Sequence, residues 1–125
     1  MPADRFTARR KRAERQGRGG ETLAALLLRF KGYRILGRRV RTHAGEIDLI
    51  ARSPLGVLCF IEVKARPDML AAIESVAERQ RGRIVRAATA FIAGRPQLAG
   101  AQMRFDIVTV SPRALPRHIR DAWRP

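Results

Sequence analysis

Residues 45–64 read GEIDLIARSPLGVLCFIEVK, and this stretch decides the fold. Two runs of strand-forming residues, EIDLIA and VLCFIEVK, flank the turn signal SPLG, a pattern that predicts a β-hairpin. A turn centred on Leu55 sets the register of the two strands. It pairs Arg52 with Leu58, Ile50 with Phe60, Asp48 with Glu62 and Glu46 with Lys64. Charged side chains therefore cluster at the open end of the predicted hairpin.

The pairing of Asp48 with Glu62 is the unusual feature of this cluster. Directly opposed Cβ atoms of antiparallel strands lie about 4.5–5.5 Å apart. Two carboxylates at that distance repel, so one takes up a proton unless a cation lies between them. Mg²⁺ accepts one or two protein carboxylates with water and phosphate oxygens, as in a phosphodiesterase centre. The alternative, a surface Glu46–Lys64 salt bridge contributing about 0–1 kcal/mol, leaves this repulsion uncompensated.

Lys64 stands out in this composition. The chain has three lysines among its 26 basic residues, and the rest are arginines. A compact ammonium two residues after Glu62 suits a role beside an attacking water or a scissile phosphate. The bias towards arginine suggests that this position needs lysine chemistry.

A helix is predicted to precede the hairpin. In ETLAALLLRFKG the residues Leu23, Leu27 and Phe30, with Ala24 and Leu28, form an apolar stripe, and Gly32 ends the helix. Glu21 shares a face with Ala24, Ala25 and Leu28 at helical spacing. Glu21 is interpreted either as a surface residue that stabilises the helix dipole or as a carboxylate at the edge of the core.

The other elements follow from local patterns. Residues 33–42 predict a strand with an exposed basic face, and residues 103–110 predict another strong strand. Ser75 to Glu78 match a capping box, from which a helix runs to about Ala93 and stops at Gly94. Gln80 lies within its apolar stripe, as a core-edge amide or as a polar group aimed into a site. The order is helix, strand, strand, strand, helix, strand.

The residues after this helix carry no clear site. Asp106 lies on the last strong strand near several arginines, which favours a structural ion pair. The tail LPRHIRDAWRP is expected to add an edge element with Ile119 and Trp123 packed down. His118 has no predicted partner and is given no role. Cys59, in an apolar strand, is expected to be a buried core residue.

Size and charge limit the classes of function that this chain can have. At 125 residues and a formal net charge of +15, we expect a basic flexible arm, residues 1–19, and one domain, residues 20–125. Such a surplus of positive charge indicates a polyanionic partner, and nucleic acid is favoured over a membrane surface. Without a signal peptide or a long apolar run, we expect a cytoplasmic protein with no membrane association. The expected nucleic-acid contacts are Arg9, Arg10, Lys11, Arg12, Arg66, Arg79 and Arg81.

Four segments resemble the YraN-like family of small bacterial proteins: RGGETLAALLL, GYRILGRRVRTHAGEIDLIAR, CFIEVKAR and RFDIVTV. This family is grouped with the PD-(D/E)XK nuclease superfamily, alongside Holliday-junction resolvases and tRNA endonuclease domains. The resemblance, from about Arg18 to the C-terminus, implies an α/β fold with a restriction-endonuclease-like core. That core has the order α-β-β-β-α-β and a central mixed sheet flanked by helices.

The resemblance also implies a reaction. Asp48, Glu62 and the carbonyl of Val63 match ligands of Mg²⁺ or Mn²⁺, and Lys64 matches the residue that orients water or steadies the transition state. Glu21 and Gln80 match further polar residues of such sites, although an arginine, Arg79, stands where a lysine is expected. The implied activity is metal-dependent endonucleolytic hydrolysis of DNA in structured or branched form, with DNA favoured over RNA as the substrate. By fold analogy, a homodimer is also expected. The alternatives are a non-catalytic nucleic-acid-binding module with the same fold and a protein whose basic arm docks on an acidic partner.

Overall fold

The computed structural model describes residues 19–65, 69–74, 76 and 78–125. A helix over residues 19–30 (α1) comes first, followed by a three-stranded antiparallel unit, two helices and two further strands. The strands are β1 Arg34–Thr42, β2 Gly45–Arg52, β3 Leu58–Lys64, β4 Met103–Ser111 and β5 Ala114–Trp123. The later helices are α2 Met69–Glu74 and α3 Glu78–Ala93, with a 3₁₀ turn at Pro96–Leu98. The predicted arm lies outside the described residues, apart from its last position.

The five strands form one mixed sheet in the order β1-β2-β3-β4-β5. Strands β3 and β4 are parallel, and the other neighbouring pairs are antiparallel. Parallel neighbours need a crossover connection, which α2 and α3 supply here. The predicted α/β class, with a central mixed sheet flanked by helices, is confirmed.

Two apolar clusters cover the sheet. One joins α3 to Ile50, Phe60 and Ile107, and the other packs α1 on Leu49 and Cys59. Cys59 is fully buried, as expected. Within the described ranges, none of the helices combines the length and hydrophobicity that a membrane span requires.

The register predicted for the hairpin is confirmed in its apolar half. Arg52 pairs with Leu58, and the ladder continues to the pair Leu49–Ile61. Regular pairing is not continued to Glu46 and Lys64, because side-chain hydrogen bonds take over beyond Leu49.

The predicted stripe of α1 is right in one part and wrong in the other. Leu23 is 47% exposed and Phe30 is 92% exposed, whereas Ala24 and Leu28 are fully buried. The narrow face that begins with Glu21 packs on the sheet, since small residues let the helix approach closely. An added Cβ on Gly20, for example, would stand 3.0 Å from a methyl group of Val110.

The remaining elements agree with the patterns except for two additions. Residues 69–74, which had no prediction, form α2, and the tail forms the ten-residue edge strand β5 with Ile119 and Trp123 buried. Helix α3 ends at Ala93 as predicted, but it begins at Glu78. The first residue of the predicted capping box, Ser75, lies outside the described residues.

Candidate metal and phosphodiester site

Strands β2 and β3 separate at Asp48 and Glu62 in a specific way. The backbone N–H of Val63 donates a 2.8 Å hydrogen bond to Oδ2 of Asp48. In return, the backbone N–H of Asp48 donates to the carboxyl group of Glu62. Ile47 and Ile50 both belong to the cluster on the α3 side, so β2 departs from strict alternation around Asp48. The two acidic side chains thus replace the regular ladder and are held close together.

The two carboxyl groups lie close enough to influence each other's ionisation. Two neighbouring carboxylates repel, which favours a proton on one of them. Burial, followed by the charge of Asp48, raises the pKa of Glu62 well above its usual range. Burial also raises the pKa of Asp48, although the Val63 N–H works in the opposite direction. The pair holds a proton where a cation could replace it.

Glu62 has an unsatisfied atom. The residue is 6% exposed, and its Oε1 is buried without a hydrogen-bond partner among the described residues. Buried polar atoms nearly always have a partner, so an exception calls for an explanation. A bound cation would satisfy this oxygen, and the donor set of hard oxygens fits Mg²⁺ or Mn²⁺.

Lys64 and Gln80 extend this site. The Nζ of Lys64 lies 3.4 Å from Oε1 of Gln80, and Nε2 of Gln80 lies 3.5 Å from Oε2 of Glu62. Both contacts are long for hydrogen bonds, which leaves the two side chains free to adjust. The Lys64 charge lowers the pKa of both Asp48 and Glu62, against the larger effect of burial. The amide on α3 thus bridges the ammonium and the carboxyl group.

Glu21 also faces this region. It is 5% exposed, and burial, followed by the charge of Asp48, raises its pKa. The interpretation as a surface residue is therefore wrong. Its carboxylate lies 3.5 Å from Nε of Arg39, which also stands 3.6 Å from Glu46. Arg39 was missed from the sequence and has a left-handed φ of 49°.

Glu46 does not form the alternative salt bridge with Lys64. Its ion pairs in the structure are with Arg39 at 3.6 Å and Arg41 at 3.3 Å, on β1. Lys64 is consequently left to Gln80 and the two carboxyl groups. Among the described residues, no three His, Cys, Asp or Glu side chains are arranged to hold a metal ion. A cation would therefore depend on Asp48 and Glu62, with backbone, water or substrate oxygens completing its shell.

The predicted nucleic-acid contacts have different outcomes. Arg9, Arg10, Lys11, Arg12 and Arg66 lie outside the described residues. Arg81 has a structural role, because its Nε donates to the carbonyl of Val76 at 2.9 Å and its guanidinium lies 5.7 Å from the Trp123 ring centroid. Arg79 is exposed. It shares a face of α3 with exposed Arg83 and Arg86, at spacings of four and three residues.

Two buried polar residues on β4 and β5 form a separate network. Asp106 makes the predicted ion pair with Arg104, at 2.8 Å. His118, which had no predicted partner, lies with Nε2 2.7 Å from Oδ2 of Asp106. Strand pairing brings them together, since Val108 pairs with His118 and Ile107 with Ile119. Alternation along the tail was too weak a signal to place this histidine inside.

The mixed α/β fold and the buried acidic pair define the class of the protein, an α/β protein with a candidate cation site at a strand junction. The profile of the uncharacterised protein family UPF0102 matches residues 20–110. The chain belongs to this family, which confirms the YraN-like part of the resemblance.

Similar proteins share the family and most of the length. A UPF0102 protein of Paramagnetospirillum magneticum is 52% identical over 116 residues, covering 90% of this chain and 89% of its own. A UPF0102 protein of Parvibaculum lavamentivorans is 50% identical over 113 residues, covering 90% and 84%. One of Maricaulis maris is 50% identical over 120 residues, covering 96% and 94%.

Proposed function

We propose that this chain is a Mg²⁺- or Mn²⁺-dependent endonuclease that hydrolyses phosphodiester bonds of DNA. The observation that carries the proposal is the junction of Asp48 and Glu62, where Oε1 of Glu62 is buried without a hydrogen-bond partner among the described residues. The resemblance to PD-(D/E)XK nucleases names the same two residues as ligands. Burying two acidic side chains next to each other costs free energy, and binding of a cation gives a functional reason for that cost.

The chain's own residues have distinct roles in this proposal. Asp48 is held by the Val63 N–H, so one face of its carboxylate is fixed and the other is available to an ion. Glu62 offers Oε1, and the Val63 carbonyl is a further ligand by resemblance. When bound, a divalent cation supplies Lewis-acid polarisation of a phosphoryl oxygen and activates water. Glu21 and Arg39 then border the site as a second layer of charge.

Lys64 and Gln80 act on the substrate side of the pair. The ammonium of Lys64 stabilises charge that develops on the scissile phosphate or orients the attacking water. Gln80 keeps Lys64 beside Glu62 through its two long contacts, which can tighten when substrate is bound. This assignment also accounts for a lysine in a chain dominated by arginine.

The basic surface supports nucleic acid as the substrate. The exposed face of α3 that carries Arg79, Arg83 and Arg86 begins one residue before Gln80. Guanidinium groups next to a phosphodiester centre can hold the backbone on both sides of the scissile bond. The net charge of +15 adds a general attraction for a polyanion.

Cleavage of structured DNA tests the proposal. Wild type, Asp48→Asn, Glu62→Gln and Lys64→Met are compared with Mg²⁺, Mn²⁺ or EDTA, on a four-way junction, a flap and a plain duplex. We expect metal-dependent nicking by wild type, none by Asp48→Asn or Glu62→Gln, and a loss of about 10²–10³-fold in Lys64→Met. Equal nicking by all four proteins indicates a contaminating nuclease and contradicts the assignment.

A second candidate function is a nucleic-acid-binding module without catalysis. It is favoured by the absence of a three-residue ligand group within the described part of the chain. This reading predicts salt-sensitive binding to DNA or RNA with no cleavage in any divalent metal. Binding by wild type and by Glu62→Gln with the same affinity, together with intact substrate, would select it.

A further inference from the structure

Three residues from separate elements form a relay away from the acidic pair. Lys31 follows the last residue of α1, and its Nζ lies 2.6 Å from Nδ1 of His118 on β5. The other ring nitrogen of His118, Nε2, lies 2.7 Å from Oδ2 of Asp106 on β4. The side chains of His118 and Asp106 are 2% and 0% exposed, whereas Lys31 is exposed.

Asp106 is fixed in this relay. Arg104 donates two hydrogen bonds to its carboxylate, each of 2.8 Å, and the backbone N–H of Asp121 donates a third at 2.9 Å. Arg104 is itself held by the hydroxyl of Tyr33 at 2.7 Å. Because the carboxylate only accepts and an ammonium only donates, His118 donates from Nε2 and accepts at Nδ1.

The surroundings of Lys31 also act on its pKa. Burial lowers the pKa of Lys31, and the positive charges of Arg120 and Arg104 lower it further. The charge of Asp106 acts in the opposite direction. The Tyr33 ring, whose centroid is 5.7 Å from Nζ, also favours the charged form, but only through a cation–π contact.

This geometry matches that of an activated nucleophile. The general signature is a nucleophile within hydrogen-bond reach of a base that is oriented by a third group. Lys31, His118 and Asp106 meet it in that order, with an exposed nucleophile and a buried base. A purely structural tie to the Asp106 carboxylate is already provided by Arg104, so it does not require Lys31.

We propose that Lys31 is a reactive amine, activated by His118 and Asp106, that takes an acyl group from acyl phosphates. The Nζ lone pair attacks the carbonyl carbon, a C–N bond forms, and the C–O bond to phosphate breaks. Inorganic phosphate leaves with the bonding electron pair. His118 accepts a proton from the amine, Asp106 stabilises the resulting imidazolium, and the proton then passes to solvent. The product is an uncharged amide at Lys31, and none of these residues belongs to the candidate nuclease site.

Competition among the three lysines tests this proposal. The full-length protein is treated with limiting acetyl phosphate, and acetylation of Lys11, Lys31 and Lys64 is followed over time by peptide mass spectrometry. We expect Lys31 to react at least about tenfold faster than the other two, a cautious figure beside the 10²–10⁴-fold of positioned bases in enzymes. A Lys31 rate equal to that of Lys11 and Lys64 overturns the proposal.

Two variants separate activation from structure. In His118→Gln we expect the Lys31 rate to fall to about that of Lys11, with Lys64 unchanged as an internal control for folding. A fast Lys31 in this variant overturns the role of His118. Arg120→Gln changes an exposed residue, and we expect its rate–pH profile at Lys31 to move to higher pH. If His118→Gln does not fold, an unmoved profile in Arg120→Gln contradicts the lowered pKa of Lys31, and the competition among the three lysines decides the proposed activation.

Discussion

The carboxylate of Asp48 accepts the backbone N–H of Val63, at 2.8 Å, where the next rung of the β2–β3 ladder would otherwise lie. The side chain of Glu62 accepts the N–H of Asp48 in the reciprocal position. Both acids therefore substitute for backbone carbonyls and cannot leave the junction without exposing unpaired N–H groups. The strand separation and the acidic pair are one structural feature.

Glu62→Gln is expected to stabilise the fold in the absence of metal. The pKa of Glu62 is raised in the folded state, so its contribution to stability is present at low pH and is lost as pH rises through the folded pKa. Glutamine avoids this loss, and the gain in free energy of unfolding should reach on the order of 1 kcal/mol near pH 8. Thermal unfolding between pH 5 and pH 8 measures it.

The matched control for this experiment is Glu78→Gln. Glu78 is exposed at the start of α3. Its replacement should produce no difference that widens with pH. A Glu62→Gln protein that is less stable than wild type at pH 8, or equally shifted at both pH values, would contradict the pKa assignment.

Arg39→Gly is expected to be more stable than Arg39→Ala by about 1 kcal/mol. Arg39 has a φ of 49°, where a side chain costs roughly 1–2 kcal/mol and glycine is free of this strain. Both variants lose the same contacts with Glu21 and Glu46, so the comparison isolates the backbone. Chemical denaturation of the two proteins gives the difference. Equal stability, or a more stable alanine variant, would show that the backbone relaxes out of this conformation.

Asp106→Asn is expected to destabilise the fold by about 3–5 kcal/mol at pH 7, because it leaves Arg104 inside without its counter-charge. Burial raises the pKa of Asp106, but hydrogen bonds from His118, Arg104 and the Asp121 backbone outweigh this and lower it. Its contribution is therefore present above the ordinary carboxyl range and is lost as pH falls through the folded pKa. Urea unfolding from pH 7 to pH 3 should show the deficit narrowing.

Asp121→Asn provides the comparison for that variant. Asp121 pairs with Arg124 at 2.7 Å on the surface, where an ion pair contributes little. We expect its unfolding transition to remain close to that of wild type. If the Asp106→Asn protein is as stable as Asp121→Asn, the buried network does not contribute to the stability of the fold.

Replacing Arg79, Arg83 and Arg86 together by glutamine should reduce the salt dependence of DNA binding. Each lost phosphate contact lowers the slope of log K against log salt by about 0.9. We therefore expect a decrease of up to about 3, measured by fluorescence anisotropy at several salt concentrations. Arg113, in the turn before β5, and Arg117, on β5, are both exposed and serve as the control pair. If their replacement reduces the slope as much per residue, the attraction is diffuse and α3 is not the contact face.

The hairpin could be predicted because its turn and its alternating strands are local. One turn residue, Leu55, determined the pairing of Arg52 with Leu58 and hence the approach of Asp48 to Glu62. The face of α1 could not be predicted as reliably, since large apolar residues lie on both sides. Close packing on the sheet selected the alanine face, and this choice buried Glu21.

Residues that act through tertiary contacts could not be predicted from the sequence pattern. Arg39 resembles its arginine neighbours, and its left-handed backbone leaves no signature in a non-glycine residue. His118 contacts Lys31 across 87 positions, because the segment that follows α1 passes over β5. Such meetings depend on how the layers pack, which neither periodicity nor turn chemistry determines.

Calorimetric titration with Mn²⁺ at pH 7, in two buffers of different ionisation enthalpy, tests whether Asp48 and Glu62 together bind a divalent cation. We expect wild type to bind one ion with release of about one proton, and Asp48→Asn and Glu62→Gln to bind none. Absence of binding by wild type even with DNA present, or binding that both substitutions leave unchanged, would contradict this expectation.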